Sequence, residues 1–336
     1  MTLWWTLRRR WKSRLFLVLL LAVVVVGAYA WYVRGAGIRP VIVAHREFRW
    51  DIRTSMPRPR TEVTAAALGG RIVVIGGFDG FARTTATVQI YDPRANAWSV
   101  GPPLPRPIHH AMAVTLEDRL YVIGGLIGPR LAPTDRAFVF DGGAWRAIAS
   151  LPEPVGAAGI AVLDGRIHVV GGRGGRGDVA AHYVYDPAAD GWTPRAALPA
   201  ARDHLAAAVL DGRLYATGGR LEGAISRNVT RVDVYDPQTD AWSEGPPLVH
   251  ARSGHAAVTL GPWIFVFGGE EPGETIAPVE MLATARWTAP TRLPTPRHGL
   301  GAAVIANTVY LVSGGKRPAL SVSGANESLT VVFPPN

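Results

Sequence analysis

Six Gly-Gly pairs divide the chain at near-equal intervals, and each closes a short apolar run. They are Gly76-Gly77, Gly124-Gly125, Gly171-Gly172, Gly218-Gly219, Gly268-Gly269 and Gly314-Gly315, separated by steps of 48, 47, 47, 50 and 46 residues. Trp98, Trp145, Trp192, Trp242 and Trp287 follow the first five pairs at a similar offset. No tryptophan follows the sixth, while an unmatched one, Trp50, precedes the first. A period in this range is the mark of a repeat architecture. The displaced tryptophan implies a ring in which the first strand completes the last unit.

The segment from His204 to Trp242 shows what one unit contains. Leu205 to Leu210 is an apolar run, and Asp211-Gly212 is a two-residue hairpin of the kind that needs positive φ at both positions. Arg213 to Thr217 forms a second strand, ended by Gly218-Gly219, where the chain turns or packs too closely for a Cβ. After a loop, Val229, Arg231, Val232 and Val234 lie on a third strand ending in Tyr235-Asp236-Pro237, and Trp242 marks a fourth. Asp164-Gly165, Glu117-Asp118, Gly69-Gly70 and Asn307-Thr308 take the hairpin position in other units. Tyr91-Asp92-Pro93 and Tyr185-Asp186-Pro187 repeat the third-strand ending, with Phe140-Asp141-Gly142 close to it. Four short strands repeated radially make the blade of a β-propeller. No long helical period occurs beyond residue 34, so the expectation is an all-β, six-bladed propeller preceded by an N-terminal transmembrane helix. Phe48 to Ile52 should pair beside Ser328–Phe333 to close the ring.

These features resemble the Kelch repeat family: the Gly-Gly pair after the second strand, the Tyr-Asp-Pro ending and the blade tryptophan. The resemblance covers nearly all of residues 46–336. The fifth unit departs, with Met281-Leu282-Ala283 in place of Tyr-Asp-Pro. It implies a Kelch-type propeller acting as a binding or interaction module.

Charge locates a second feature. The formal net charge is +9, yet residues 1–34 hold Arg8, Arg9, Arg10, Lys12, Arg14 and Arg34 and no acid, which leaves 29 basic groups against 26 acidic ones elsewhere. The repeat region lacks the clustered basic footprint of a nucleic-acid binder, so no nucleic acid is expected. Leu15 to Val33 is uncharged and long enough to cross a bilayer. Its basic flank keeps the N-terminus cytoplasmic, and Trp4, Trp5, Trp11, Trp31 and Tyr32 suit the two interfaces. Ala28-Tyr29-Ala30 resembles a signal-peptide cleavage site, but the apolar run continues through Val33. The expected organisation is a tail and anchor over 1–34, a linker over 35–46 and a propeller over 47–336, held in the periplasm or outside the cell. The chain has no cysteine, hence no disulfide or thiolate chemistry.

The loops after the Gly-Gly pairs and the starts of the innermost strands share one rim. The latter carry Arg60, His109-His110, Arg202, His204, Arg252, His255, Arg297 and His298, so this mouth is expected to be cationic and to bind a ligand. In the Kelch adaptors that the chain resembles, arginines at such positions grip acidic peptides. The resemblance therefore implies Arg60, Arg202, Arg252 and Arg297 as ligand-binding residues, beside His110, His204, His255 and His298 of the same mouth, and an acidic peptide, protein or anionic glycan as partner. The same groups could instead stitch neighbouring blades together.

The chain is also similar to sialic-acid mutarotases, exported six-bladed Kelch propellers with a glutamate and an arginine in a loop after a glycine pair. Glu270 and Glu271 occupy such a loop without the arginine, and Glu222 and Arg227 have the residue types at another spacing. A carbohydrate isomerase is thus the alternative to a binding module, and a scaffold working through its blade edges is a third class. The cysteine-dependent cofactor of galactose-oxidase-like propellers is excluded. A histidine metal site at the mouth, from His109, His204, His255 and His298, is a minor alternative without a His-x-x-x-His spacing behind it, so no metal site and no cofactor are expected. Gly172 to Gly177 fits G-x-G-x-x-G but precedes a strand, so it is no dinucleotide fingerprint.

Overall fold

The computed structural model of the chain describes residues 47–332. The apolar stretch Leu15–Val33, the linker and the last four residues lie outside them. Among the described residues no helix is long and apolar enough to cross a membrane.

Six antiparallel sheets, each a meander of four main strands, form the blades. The innermost strands are Thr64–Leu68, Met112–Leu116, Gly159–Leu163, Ala206–Leu210, Ser253–Leu260 and Gly301–Ile305. Each touches the inner strand of the blade before and after it, including the first with the last. Small residues dominate them because the strands converge: a Cβ on Gly301 would stand 2.6 Å from the Ala65 Cβ. The second strands Arg71–Ile75, Arg119–Ile123 and Arg166–Val170 begin with an exposed arginine and continue with four buried residues. Such continuous apolar runs are what a strand covered on both faces requires.

The ring closes as the displaced tryptophan implied. Glu47–Ile52 is the outer strand of the sixth blade and pairs with Asn326–Val332. All six blade tryptophans hand their indole N–H to the preceding blade. Trp98 donates to Thr54 O, Trp145 to Pro102 O, Trp192 to Ala149 O, Trp242 to Ala196 O and Trp287 to Pro246 O, at 2.7–3.0 Å. Trp50 donates to Thr291 Oγ1 of the fifth blade at 2.9 Å. The Tyr-Asp-Pro endings add a second stitch. Tyr185 and Tyr235 donate to Asp190 and Asp240 at 2.7 Å, and these carboxylates accept the Ala149 and Ala196 backbone N–H groups of the blade before.

The Gly-Gly pairs seat one blade against the next. Gly76 and Gly77 have φ of 63° and 92°, and Cβ atoms there would meet Ile108 O of the second blade at 2.4 Å and Thr61 O at 2.5 Å. The sixth blade differs from the sequence expectation. There Ser313 (φ 63°) and Gly314 (φ 100°) take the two positions, so the structural pair sits one residue earlier than Gly314-Gly315. Ser313 is held by its hydroxyl donating to Arg60 O at 2.7 Å. The sixth-blade hairpin also shifts by one, with Ala306 and Asn307 between the paired residues Ile305 and Thr308.

Candidate functional site

Just before each inner strand, one residue adopts left-handed backbone: Glu62, His110, Ala157, His204, Gly254 and Gly299, with φ between 51° and 62°. They join into a circle of backbone hydrogen bonds. His110 N donates to Glu62 O, Ala157 N to His110 O, His204 N to Ala157 O, Gly254 N to His204 O, Gly299 N to Gly254 O and Val63 N to Gly299 O. This circle narrows the axis. On one side lies a channel of about 170 Å³ lined by inner-strand alanines and glycines. On the other opens a cavity of about 680 Å³.

The floor of that cavity carries Glu62, His110, His204, Arg220, Glu270 and His298; Phe78, Leu131, Ile225 and Leu320 stand on its walls. The wall residues come from the loops that follow the glycine pairs, as expected from strand direction. The floor is a continuous polar network. His110 Nε2 lies 3.1 Å from Glu62 Oε2, and His298 Nδ1 lies 3.0 Å from Glu62 Oε1 and 3.6 Å from Glu270 Oε2. Arg220 donates to Asp203 Oδ1 at 3.0 Å, to Glu270 Oε1 at 3.3 Å and to His204 Nε2 at 3.0 Å. His204 Nδ1 in turn faces Asp203 Oδ1 at 3.1 Å.

Protonation follows from these neighbours. Burial alone would raise the Glu62 carboxyl, but His110, His298 and His204 around it hold it well below the usual carboxylate range. Burial works against the His298 imidazolium, yet Glu62 and Glu270 beside it raise its pKa above the ordinary histidine value. His110 and His109 are pushed down by burial, the latter to about 4. Asp203, although buried, is brought to about 2 by His204 and Arg220. Burial thus favours the neutral imidazole at His110, the surrounding histidines hold Glu62 as a carboxylate, and the carboxylates beside His298 favour its imidazolium form.

The four arginines expected at the mouth lie elsewhere. Arg60, Arg202, Arg252 and Arg297 are at most 1% exposed and run inside their own blades. Arg202 pairs with Asp233 at 2.8 Å, and Arg252 with Glu280 and Arg297 with Glu327 at 2.6 Å. Further N–H groups of theirs donate to strand carbonyls, such as Gly218 O, Gly268 O and Ser313 O. Arg60 has Gln89 and the carbonyls of Gly76 and Thr87 instead. They stitch the second and third strands, and the cationic mouth expected from them is not formed. A charged side chain at an inner-strand start satisfies itself on the carbonyls of its own blade because the left-handed residue two positions later is the one turned to the axis.

The other expected residues divide. His110, His204, His298 and Glu270 line the cavity. His255 lies lower, along the channel, with Nε2 3.1 Å from Thr217 Oγ1, and burial takes it to about 3. Glu271 stays in a hairpin with Glu274. Glu222 and Arg227 pair with each other on an exposed loop. Glu62, Asp203 and Arg220 escaped the sequence reading. Aligning the six inner-strand starts by their second glycine contacts would have placed Glu62 in register with His110 and His204.

Comparison with known proteins decides the family. The profile of the KLHDC2/KLHL20/DRC7 Kelch-repeats domain matches residues 100–269, half of the chain, and the Kelch motif matches residues 59–105. The chain belongs to the Kelch repeat family. Among solved structures, the Kelch fold seen here is similar to that of YjhT, with a TM-score of 0.72 at 13% identity over 85% of this chain and 100% of that one. No curated protein sequence matches the chain significantly. The Kelch architecture makes the protein a candidate binding or interaction module, with the mouth as its concave site.

Proposed function

We propose that this Kelch propeller binds a small polyhydroxylated ligand of the glycan class on the histidine–carboxylate floor of its mouth. One observation carries the reading: six polar side chains converge on the floor of a 680 Å³ cavity whose walls are apolar. That volume is in the range of small-molecule sites, roughly 300–1,000 Å³. Sugar hydroxyls donate to carboxylates and accept from imidazolium or guanidinium groups, while the C–H faces of the ring suit walls such as Phe78 and Leu320. An acidic peptide fits less well. It needs uncommitted cations, and Arg220 is held by Asp203 and Glu270 while the blade arginines are buried.

The sequence supports an anchored setting for this module, with Leu15–Val33 crossing a membrane and the propeller outside the cytoplasm. Glu47, the first described residue, lies at the Val332 end of the closing strand pair, because Arg53 N bonds to Asn326 O. The loop preceding Asn326 carries the cavity residues Ala319 and Leu320, so this outer strand begins on the rim opposite the mouth.

A second reading, sugar mutarotation, draws on the pairing of a carboxylate with a histidine, Glu62 with His298, in this same cavity. Anomer exchange needs a base to take the proton of the anomeric hydroxyl and an acid to protonate the ring oxygen as the C–O bond opens; closure on the other face returns both protons. The test is a ligand-observed NMR screen of monosaccharides and sialic acid with the full-length protein and Glu62→Gln. Binding lost in the variant supports the glycan reading, and accelerated sialic-acid anomer exchange supports the second. Affinity unchanged in Glu62→Gln overturns the placement of the site.

A further inference from the structure

We propose that Glu62, His110 and His204 form a binding site for a divalent transition-metal cation of the zinc type, with an open coordination position toward the cavity. One ligand atom from each lies within 4.8 Å of the other two. The three residues come from the first, second and fourth blades, so no spacing along the chain announces them. Two imidazoles and a carboxylate are a donor set suited to zinc, and three protein ligands are what a site with a free position uses. Bonds of about 2.0–2.1 Å leave tetrahedral ligand atoms roughly 3.3 Å apart. Glu62 and His110 already stand at 3.1 Å.

The outer partners fit as well. Metal-bound histidines are oriented through the other ring nitrogen, often by a carboxylate. His204 Nδ1 lies 3.1 Å from Asp203 Oδ1 without a hydrogen bond between them in this structure, and Nε2 is the nitrogen left for the cation. His110 Nδ1 faces His109 Nδ1 at 2.5 Å, leaving its Nε2 beside Glu62. Asp203 is wholly buried, and its Oδ2 has no hydrogen-bond partner among the described residues. Arg220 Nη2 now stands 3.0 Å from His204 Nε2, so a cation would enter as the Arg220 guanidinium turns away from that nitrogen. Backbone conformation points the same way. Of the six equivalent left-handed positions, two carry glycine and one Ala157 at 53°, while the three proposed ligands hold φ of 51–52°. A side chain there costs about 1–2 kcal/mol per residue, and such outliers gather at functional sites.

The inference does not depend on the glycan reading, because it is tested without sugar. Full-length protein, stripped with a chelator, is titrated with Co²⁺ and then Zn²⁺. The expected result is one Co²⁺ per chain with the visible spectrum of a four- or five-coordinate site, displaced by Zn²⁺. His110→Ala, His204→Ala and the near-isosteric Glu62→Gln should each abolish that signal while circular dichroism shows the propeller intact. Asp203→Asn should weaken binding by about 10–100-fold. No stoichiometric Co²⁺ spectrum in the wild type overturns the proposal. So does an unchanged affinity in folded Glu62→Gln, the variant least able to disturb the fold.

Discussion

His298 Nδ1 lies 3.0 Å from Glu62 Oε1 across the seam where the last blade meets the first, a pair separated by 236 positions of sequence. The pair exists because the chain's first described strand seals the ring, which brings the start of the first inner strand against the last. The mouth is therefore as sound as the seam. Trp50, the tryptophan that stands out of phase in the sequence, is one of the residues that hold it.

The seam bond can be weighed directly. Trp50→Phe removes the donor to Thr291 Oγ1, and Thr291→Val removes the acceptor. Each should lower unfolding free energy by about 1 kcal/mol, the usual net value of one hydrogen bond. In a double-mutant cycle by denaturant unfolding the two losses should overlap rather than add. Full additivity would mean that the bond contributes nothing to closure.

The buried arginines make a different prediction from the one their residue type suggests. Arg297→Ala leaves the Glu327 carboxylate, 1% exposed, without its guanidinium, and should cost about 3–5 kcal/mol in denaturant unfolding. Arg297→Met with Glu327→Met should recover most of that loss, since paired removal leaves no stranded charge. Ligand affinity of the folded fraction should not change in either protein.

Left-handed backbone at the blade junctions gives a third test. Gly76→Ala places a Cβ 2.4 Å from Ile108 O at a φ of 63° and should destabilise by at least about 3 kcal/mol. Ser313→Gly, at the equivalent position of the sixth blade, should be nearly neutral in thermal unfolding. It relieves strain while giving up the bond to Arg60 O.

Acid should loosen the interface between the third and fourth blades. His168 and His182 are buried there, 3.0 Å apart, with His182 donating to Ala196 O at 3.2 Å. Burial lowers them to about 3 and about 4. Both are neutral when folded, whereas the unfolded chain takes up protons below an ordinary pKa of about 6.5. Their stabilising contribution is complete above that pH and falls as pH drops from about 6.5 toward 4, at up to ~1.4 kcal/mol per pH unit for each. Replacing the pair with His168→Gln and His182→Gln should remove their share of the slope across this window, leaving that of His109, His110 and His255. An unchanged slope would place the acid sensitivity elsewhere.

Much of the architecture was legible because the repeat states it six times. Strand order, most of the hairpins and the closing strand follow from periodic glycine, tyrosine and tryptophan, whereas the bonds the tryptophans make to the preceding blade were seen only in the structure. Side-chain direction at the inner-strand starts was not legible either. Arg202 and His204 are two residues apart, yet one enters the blade and the other faces the cavity, a division set by the left-handed turn at His204 that composition does not encode. Arg220 was similarly hidden, because its position two residues after the first glycine of its pair does not say that its guanidinium reaches Glu270 of the next blade. The one-residue shift at Ser313 arose from a serine hydroxyl supporting a conformation that elsewhere requires glycine.

The central claim is that the working surface is the histidine–carboxylate floor and that the blade arginines are structural. The most direct measurement compares monosaccharide and sialic-acid binding, by ligand-observed NMR, for wild type, Glu62→Gln and the Arg297→Met, Glu327→Met double variant. The account predicts that Glu62→Gln loses binding while the double variant keeps wild-type affinity. Binding that survives in Glu62→Gln and disappears in the folded double variant would contradict it.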